Sequence, residues 1–267
     1  MDLNGRVALI TGAASGLGRA LAVHLDARGC RLLLVDRDAA GMERLLREVR
    51  TPGCRPFPCD LGDGDSLRRT IEQVCGAEAR IDLLVNCAGI GSHSLLHQLD
   101  TDEIGPVLAV NALAPLELTA GLLPLLPRGE PGGVVFIGSL AGELATPGMS
   151  LYSASKAAVH AFSRAAAVEL ASEGHFSLLV ILGALRGTRF AESIRHPATG
   201  QPGWYRRLDV DPARAAGRIV RAIERCRTRL VIPGWYAGLL WLSRLLAPLT
   251  RAVTRLSFRR VKAMHRR

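Results

Sequence analysis

Seven short runs rich in apolar and β-branched residues, each followed by a stretch with helical character, constrain this chain more than any other feature. The runs are Val7–Thr11, Arg31–Asp36, Cys54–Cys59, Ile81–Asn86, Gly133–Gly138, Phe176–Leu182 and Arg229–Ile232. Most are almost continuously apolar, as strands are when both faces of a parallel sheet are covered. Helices are predicted over Gly16–Arg28, Ala39–Val49, Asp65–Glu78, Gly105–Leu126, Tyr152–Glu173 and Pro212–Arg227. Asp211-Pro212 supplies an N-cap followed by proline at the first helical position. Regular strand–helix alternation predicts an α/β fold with one doubly wound parallel sheet, helices on both faces and right-handed crossovers.

A chain of 267 residues, 48 % apolar and 22 % charged, is sized for one large α/β domain with a well-buried core. No internal repeat or linker divides it before residue 232, so we read 1–232 as the folded body and 233–267 as a C-terminal helical extension. The formal net charge is +10, and it is unevenly placed: from Arg225 onward there are basic residues and no acidic ones. A tail of this kind seeks an anionic surface. The six cysteines form no CxxC pair and no zinc spacing, so no metal site is indicated. Cys30 and Cys87 lie beside predicted strands and read as buried thiols, which fits a reducing compartment. The opening MDLNGRVALITG enters a strand directly and does not read as a signal peptide. A cytoplasmic location is therefore expected.

The first strand runs into Thr11-Gly12-Ala13-Ala14-Ser15-Gly16-Leu17-Gly18. Glycines between a strand and a helix permit a tight turn, close backbone approach to a pyrophosphate, and a helix N-terminus facing phosphate. Gly12, Gly16 and Gly18, with Ser15 and Leu17, are candidate cofactor contacts; a plain tight turn would also call for glycine. The second strand ends in Asp36, at the spacing where an acid meets the adenosine ribose, although a turn or capping acid fits too. A carboxylate there accepts from a free 2′-hydroxyl and repels a 2′-phosphate, which favours NAD(H) over NADP(H). Arg37 points the other way, because it could reach a phosphate. Asp60-Leu61 after the third strand and Asn86-Cys87-Ala88-Gly89 after the fourth could border the cofactor, or could be strand-end turns.

Arginine serves almost everywhere as this chain's cation. Only Lys156 and Lys262 among its 34 basic residues are lysine. Lys156 follows Tyr152 by four residues in LYSASKAAV, so the two share one helix face. An ammonium beside a phenol is expected to lower the tyrosine pKa toward the range of a general acid/base. The motifs TGAASGLG, NCAG, Asn111, Ser139 and YSASK, in this order and spacing, resemble the short-chain dehydrogenase/reductase family in its compact single-domain form, over roughly Leu3 to Ile232. The resemblance implies a Rossmann fold and a Ser–Tyr–Lys centre. Ser139 would hold the substrate oxygen, Tyr152 would exchange the proton, and Lys156 would donate to the nicotinamide ribose. Asn111 would sit at a helix kink that admits a proton-relaying water; a satisfied buried amide is the plainer alternative. After the sixth strand the family's Pro-Gly is replaced by Leu182-Gly183. Gly183 suits close approach to the nicotinamide, and Thr188 lies one place later than is usual.

Residues 186–209 are irregular and include Phe190, Trp204 and Tyr205, which reads as a lid or substrate loop. His93 and His97 read as ordinary loop histidines. Trp235–Ala247 is too short to span a bilayer, and Arg244 interrupts it. Farther on, Leu249, Ala252, Val253, Leu256 and Met264 gather on one side of a helical wheel, with Arg251, Arg255, Arg259, Lys262 and Arg266 on the other. With Trp235, Tyr236 and Trp241 suited to headgroup depth, this resembles a helix lying in a membrane interface. Packing on the domain or on a partner copy is the alternative. The reading is an oxidoreductase interconverting an alcohol and a ketone or aldehyde on a small apolar substrate, with the tail on an anionic membrane surface. A homodimer or homotetramer is expected, and no nucleic-acid partner. The alternatives are an NADPH-dependent 3-oxoacyl reductase and a non-catalytic nucleotide-sensing scaffold.

Overall fold

The computed structural model describes residues 1–144, 147–187 and 210–246. Seven parallel strands form one sheet in the order β3-β2-β1-β4-β5-β6-β7. They are β1 Val7–Thr11, β2 Arg31–Asp36, β3 Arg55–Pro58, β4 Leu83–Asn86, β5 Gly133–Ser139, β6 Phe176–Leu182 and β7 Arg229–Ile232. Alternation along each strand divides the core into two layers. Ala8, Ile10, Leu32, Leu34, Val135 and Val180 face one layer. Leu9, Leu33, Val35, Leu84, Phe136 and Ile181 face the other. Helices α1 (Gly16–Asp26), α2 (Ala39–Leu46) and α7 (Pro212–Glu224) cover the first. Helices α3 (Gly64–Ala77), α5 (Ala114–Leu122) and α6 (Ser150–Ser172) cover the second.

Local chemistry explains several boundaries. β3 contains Pro56 and Pro58 and lies at the sheet edge, where a strand tolerates a missing N–H. Asp38, Asp63 and Asp211 each accept a backbone N–H at a helix start, and Pro212 follows Asp211 as predicted. The helix predicted over 105–126 is interrupted. α4 (Ile104–Leu108) passes into a π-helical turn, Ala109–Leu113, before α5 begins. Pro115 has no N–H, so the carbonyl of Asn111 loses its ordinary i+4 donor and the helix widens there. This rod is apolar enough to qualify by composition as a membrane span. Yet Leu118 and Leu122 are buried on the sheet, as in a core helix.

One further helix, α8 (Tyr236–Leu245), follows β7. It turns Tyr236 and Leu240 into the second layer of the core. Tyr236 is therefore buried rather than presented at headgroup depth, contrary to expectation. Trp235 and Trp241 are exposed. Residues 249–267, Phe190, Trp204, Tyr205 and the Arg244 side chain lie outside the described residues.

Candidate active site

In a parallel sheet every strand points its carboxyl end the same way, so the loops after β1, β2, β4, β5 and β6 share one edge. Because β2 lies on one side of β1 and β4 on the other, a crevice opens between the loops of β1 and β4. Thr11 joins the two loops there. Its Oγ1 accepts the N–H groups of Cys87 at 3.0 Å and Ala88 at 3.1 Å. Nothing in the spacing of the glycine motif singles Thr11 out for this tie.

The glycine loop is packed to its limit. A Cβ on Gly18 would stand 2.1 Å from the Gly12 carbonyl oxygen, and one on Gly12 would stand 3.0 Å from the Ala88 Cα. Gly12 and Gly16 both have positive φ, 70° and 52°. Ser15 takes the N-cap position of α1 without using its side chain there. Leu17 is buried beneath the turn. The first turn of α1 carries no acidic residue, so its N-terminal N–H groups keep their partial positive charge. These features fit a phosphate-bearing nucleotide.

Asp36 works within the same loop. Its Oδ2 accepts from Ala14 N and its Oδ1 from Asp38 N, both at 3.0 Å. It is thus the turn acid that its alternative reading described. A carboxylate has about four acceptor sites, so two remain for ribose hydroxyls. Arg37 is exposed beside it. Asp60 is exposed and accepts from Gly62 N at 2.9 Å, while Leu61 is buried. Asn86 is buried and donates to Thr119 Oγ1 at 3.3 Å.

Beyond β4 the candidate catalytic groups converge. A Cβ on Gly89 would lie 3.3 Å from Asn111 Oδ1 and 3.4 Å from Lys156 Nζ, so this glycine keeps the backbone against both. Asn111 sits in the π turn and is fully buried. Its amide accepts from Ile90 N at 2.8 Å and donates to Ile90 O at 2.9 Å and Ser155 Oγ at 3.1 Å. The amide is satisfied, as the plainer alternative has it, and the helix is distorted at that residue. Ser139 ends β5 and hydrogen-bonds Tyr152. Lys156 Nζ lies 6.0 Å from the centre of the Tyr152 ring and donates to Ile137 O at 3.0 Å.

The electrostatics differ from the expectation drawn from spacing. Burial pushes Tyr152 up to about 12, and only the Ser139 hydrogen bond opposes it. Burial pulls Lys156 down to about 8. The ammonium is directed at a backbone carbonyl and is itself desolvated, so it does not lower the phenol here. Burial also raises the Cys87 thiol to about 12, as for an unreactive thiol.

A Cβ on Gly183 would lie 2.4 Å from Cε2 of Tyr236, so the glycine accommodates the ring that α8 brings back to the end of β6. Thr188 lies outside the described residues. His97 is exposed, and His93 packs beside Gly148.

Residues 6–198 match the sequence profile of the family described as short chain dehydrogenase. The chain belongs to the short-chain dehydrogenase family. Among its relatives is a dehydrogenase/reductase SDR family protein 7-like of Anopheles gambiae, 33 % identical over 241 residues, covering 84 % of this chain and 73 % of the relative. The 3-oxoacyl-[acyl-carrier-protein] reductase FabG of Thermotoga maritima is 33 % identical over 173 residues, covering 64 % and 70 %. A Burkholderia phymatum short chain dehydrogenase/reductase solved with NAD shares the fold at TM-score 0.81, with 24 % identity, covering 93 % of this chain and 96 % of that one. A Sphingobium yanoikuyae short-chain dehydrogenase solved with NADPH aligns at TM-score 0.76 and 25 % identity, covering 91 % and 95 %. The short-chain dehydrogenase described here is an oxidoreductase of this family with a Rossmann-type sheet.

Proposed function

We propose that this oxidoreductase interconverts a secondary or primary alcohol and its ketone or aldehyde on an apolar substrate, using NAD(H) in preference to NADP(H). The observation that carries the reading is the convergence of Ser139, Tyr152, Lys156 and Asn111 at the sheet edge, next to the packed glycine loop. A nicotinamide nucleotide, when bound, would supply or accept the hydride. Ser139 holds the substrate oxygen by its hydroxyl, and Tyr152 gives that oxygen a proton or takes one from it. Lys156 and the glycine loop orient the nucleotide, and Asn111 fixes the π turn behind them. Asp36 supports the preference for NAD(H), because a 2′-phosphate would meet a carboxylate already oriented by two backbone donors. Reduction of 3-oxoacyl thioesters is a second reading, supported by the FabG relative. Assay of a panel of apolar ketones, alcohols and 3-oxoacyl thioesters with NADH and NADPH tests the set. Higher kcat/KM with NADPH would overturn the cofactor preference, and turnover confined to acyl thioesters would favour the second reading.

The two lowered and raised groups set a pH expectation. Lys156, at about 8, loses its proton before Tyr152, at about 12. Carbonyl reduction needs both the Tyr152 phenol and the Lys156 ammonium protonated, and the ammonium is the first of the two to be lost. In kcat/KM, which reports the free enzyme, reduction should fall about tenfold per pH unit above about 8. Reduction that stays level up to pH 10 would count against this assignment.

We also propose a peripheral position on an anionic membrane surface. Trp235, Leu239, Leu242 and Leu246 form one exposed apolar stripe along α8. The following residues 247–267 carry seven basic residues and no acidic ones. Apolar insertion beside cationic attraction is the combination that interfacial helices use. Flotation with vesicles containing phosphatidylserine should be strong for the full chain and largely lost on deletion of 247–267. Equal flotation of both would sink the proposal. Exposed Leu113, Leu123 and Val168 on α5's flank and α6 support self-association through these helices.

A further inference from the structure

Ser139, the last residue of β5, is held by a group that the reaction above does not use. The turn Leu140–Gly142 folds around the imidazole of His160. A Cβ on Gly138 would lie 2.2 Å from His160 Nε2, and one on Gly142 would lie 2.8 Å from its Cε1. The two glycines flanking this short turn thus leave a seat shaped for the ring. His160 Nε2 accepts the backbone N–H of Ser139 at 3.2 Å. In a neutral imidazole whose Nε2 accepts, the proton resides on Nδ1. Nδ1 faces Glu143 Oε1 at 3.4 Å, and Glu143 in turn meets Arg164 at 3.7 Å. His160 is almost wholly buried, on the α6 face that carries Tyr152 and Lys156.

We propose that His160, whose Nε2 takes the Ser139 N–H while its Nδ1 stands 3.4 Å from Glu143, is a positioning residue that fixes the backbone of Ser139 and so aims the serine hydroxyl at Tyr152. The inference rests on the place of Ser139 in the reaction proposed above. An apolar side chain would fill the same space, but it would leave the Ser139 N–H buried without an acceptor. Burial, with Lys156 and Arg164 close by, holds His160 near about 4 against the pull of Glu143. The ring therefore stays neutral through the neutral range and keeps its acceptor. Ser139 Oγ, which also accepts the Ala141 N–H at 3.2 Å, then meets Tyr152 from a backbone held in one place.

Three variants decide the matter: His160→Leu, His160→Gln and Ser139→Ala. With the ketone that the parent reduces fastest, His160→Leu should lower kcat about ten- to a hundredfold, the scale of a small misplacement near the chemistry. Its affinity for NADH, read by fluorescence titration, should stay at the parental value. His160→Gln should recover most of the rate, since its amide can accept from Ser139 and donate to Glu143. Amide hydrogen exchange supplies a readout that needs no turnover and no variant: in the parent the Ser139 N–H should be strongly protected, and glutamine but not leucine should preserve that protection. Parental kcat in His160→Leu, a glutamine variant as impaired as the leucine one, or an unprotected Ser139 amide in the parent would each overturn the proposal. An active Ser139→Ala would instead remove the reading of Ser139, leaving the exchange result to judge the contact itself.

Discussion

Tyr152→Phe is expected to lower turnover by about 10²–10⁴-fold, the contribution of a positioned proton donor or acceptor. The phenol oxygen is the one atom removed, and the ring that packs against α6's neighbours stays. Tyr152 is buried with its hydroxyl bonded to Ser139, so no solvent proton reaches that position directly. The glycine loop, Asp36 and Lys156 are untouched. NADH affinity should therefore be retained while kcat falls. Steady-state rates beside a fluorescence titration of NADH separate the two quantities. A phenylalanine variant with parental rates would remove Tyr152 from the chemistry.

Gly18→Ala should remove cofactor binding and weaken the fold together. The added methyl would stand 2.1 Å from the Gly12 carbonyl oxygen and 2.7 Å from its carbon. Both are backbone atoms, with no flexible side chain to yield. The loop must open or α1 must shift, and overpacking of this kind costs about 1–3 kcal/mol. Because the N-terminus of α1 is aimed by the same turn, a small shift also misdirects its N–H groups. Thermal unfolding should move downward, and NADH titration should show little or no binding. Parental binding with parental stability would show that the loop is not the phosphate cradle.

The sequence made the strands legible because burial on both faces leaves a continuous apolar run, and all seven were placed within two residues. It made the candidate catalytic cluster legible because Tyr152 and Lys156 are neighbours on one helix, where spacing alone implies proximity. What it could not carry were effects that arise between distant segments. The upward shift of Tyr152 comes from burial by the assembled fold, which a four-residue spacing does not report. Tyr236 was placed at a membrane surface from its residue type, but its ring occupies the space that Gly183 leaves, 53 residues earlier in the chain. His160 did lie in plain view on the Tyr152 face. The signal that could have found it is the pair Gly138 and Gly142 around Ser139, since a buried ring needs such room. The break at Asn111 was likewise encoded by Pro115, four residues on.

The return of α8 to the end of β6 has a consequence for how the protein is made. Tyr236 packs over Gly183 at the end of β6, and it is among the last described residues to leave the ribosome. Glycine loop, serine, tyrosine and lysine are all synthesised before it. The nascent chain can close its sheet only once β7 has emerged, and it can fill the hollow over Gly183 only after α8 has followed. Completion of the core at this end of β6 is thereby tied in time to the emergence of the basic C-terminal segment.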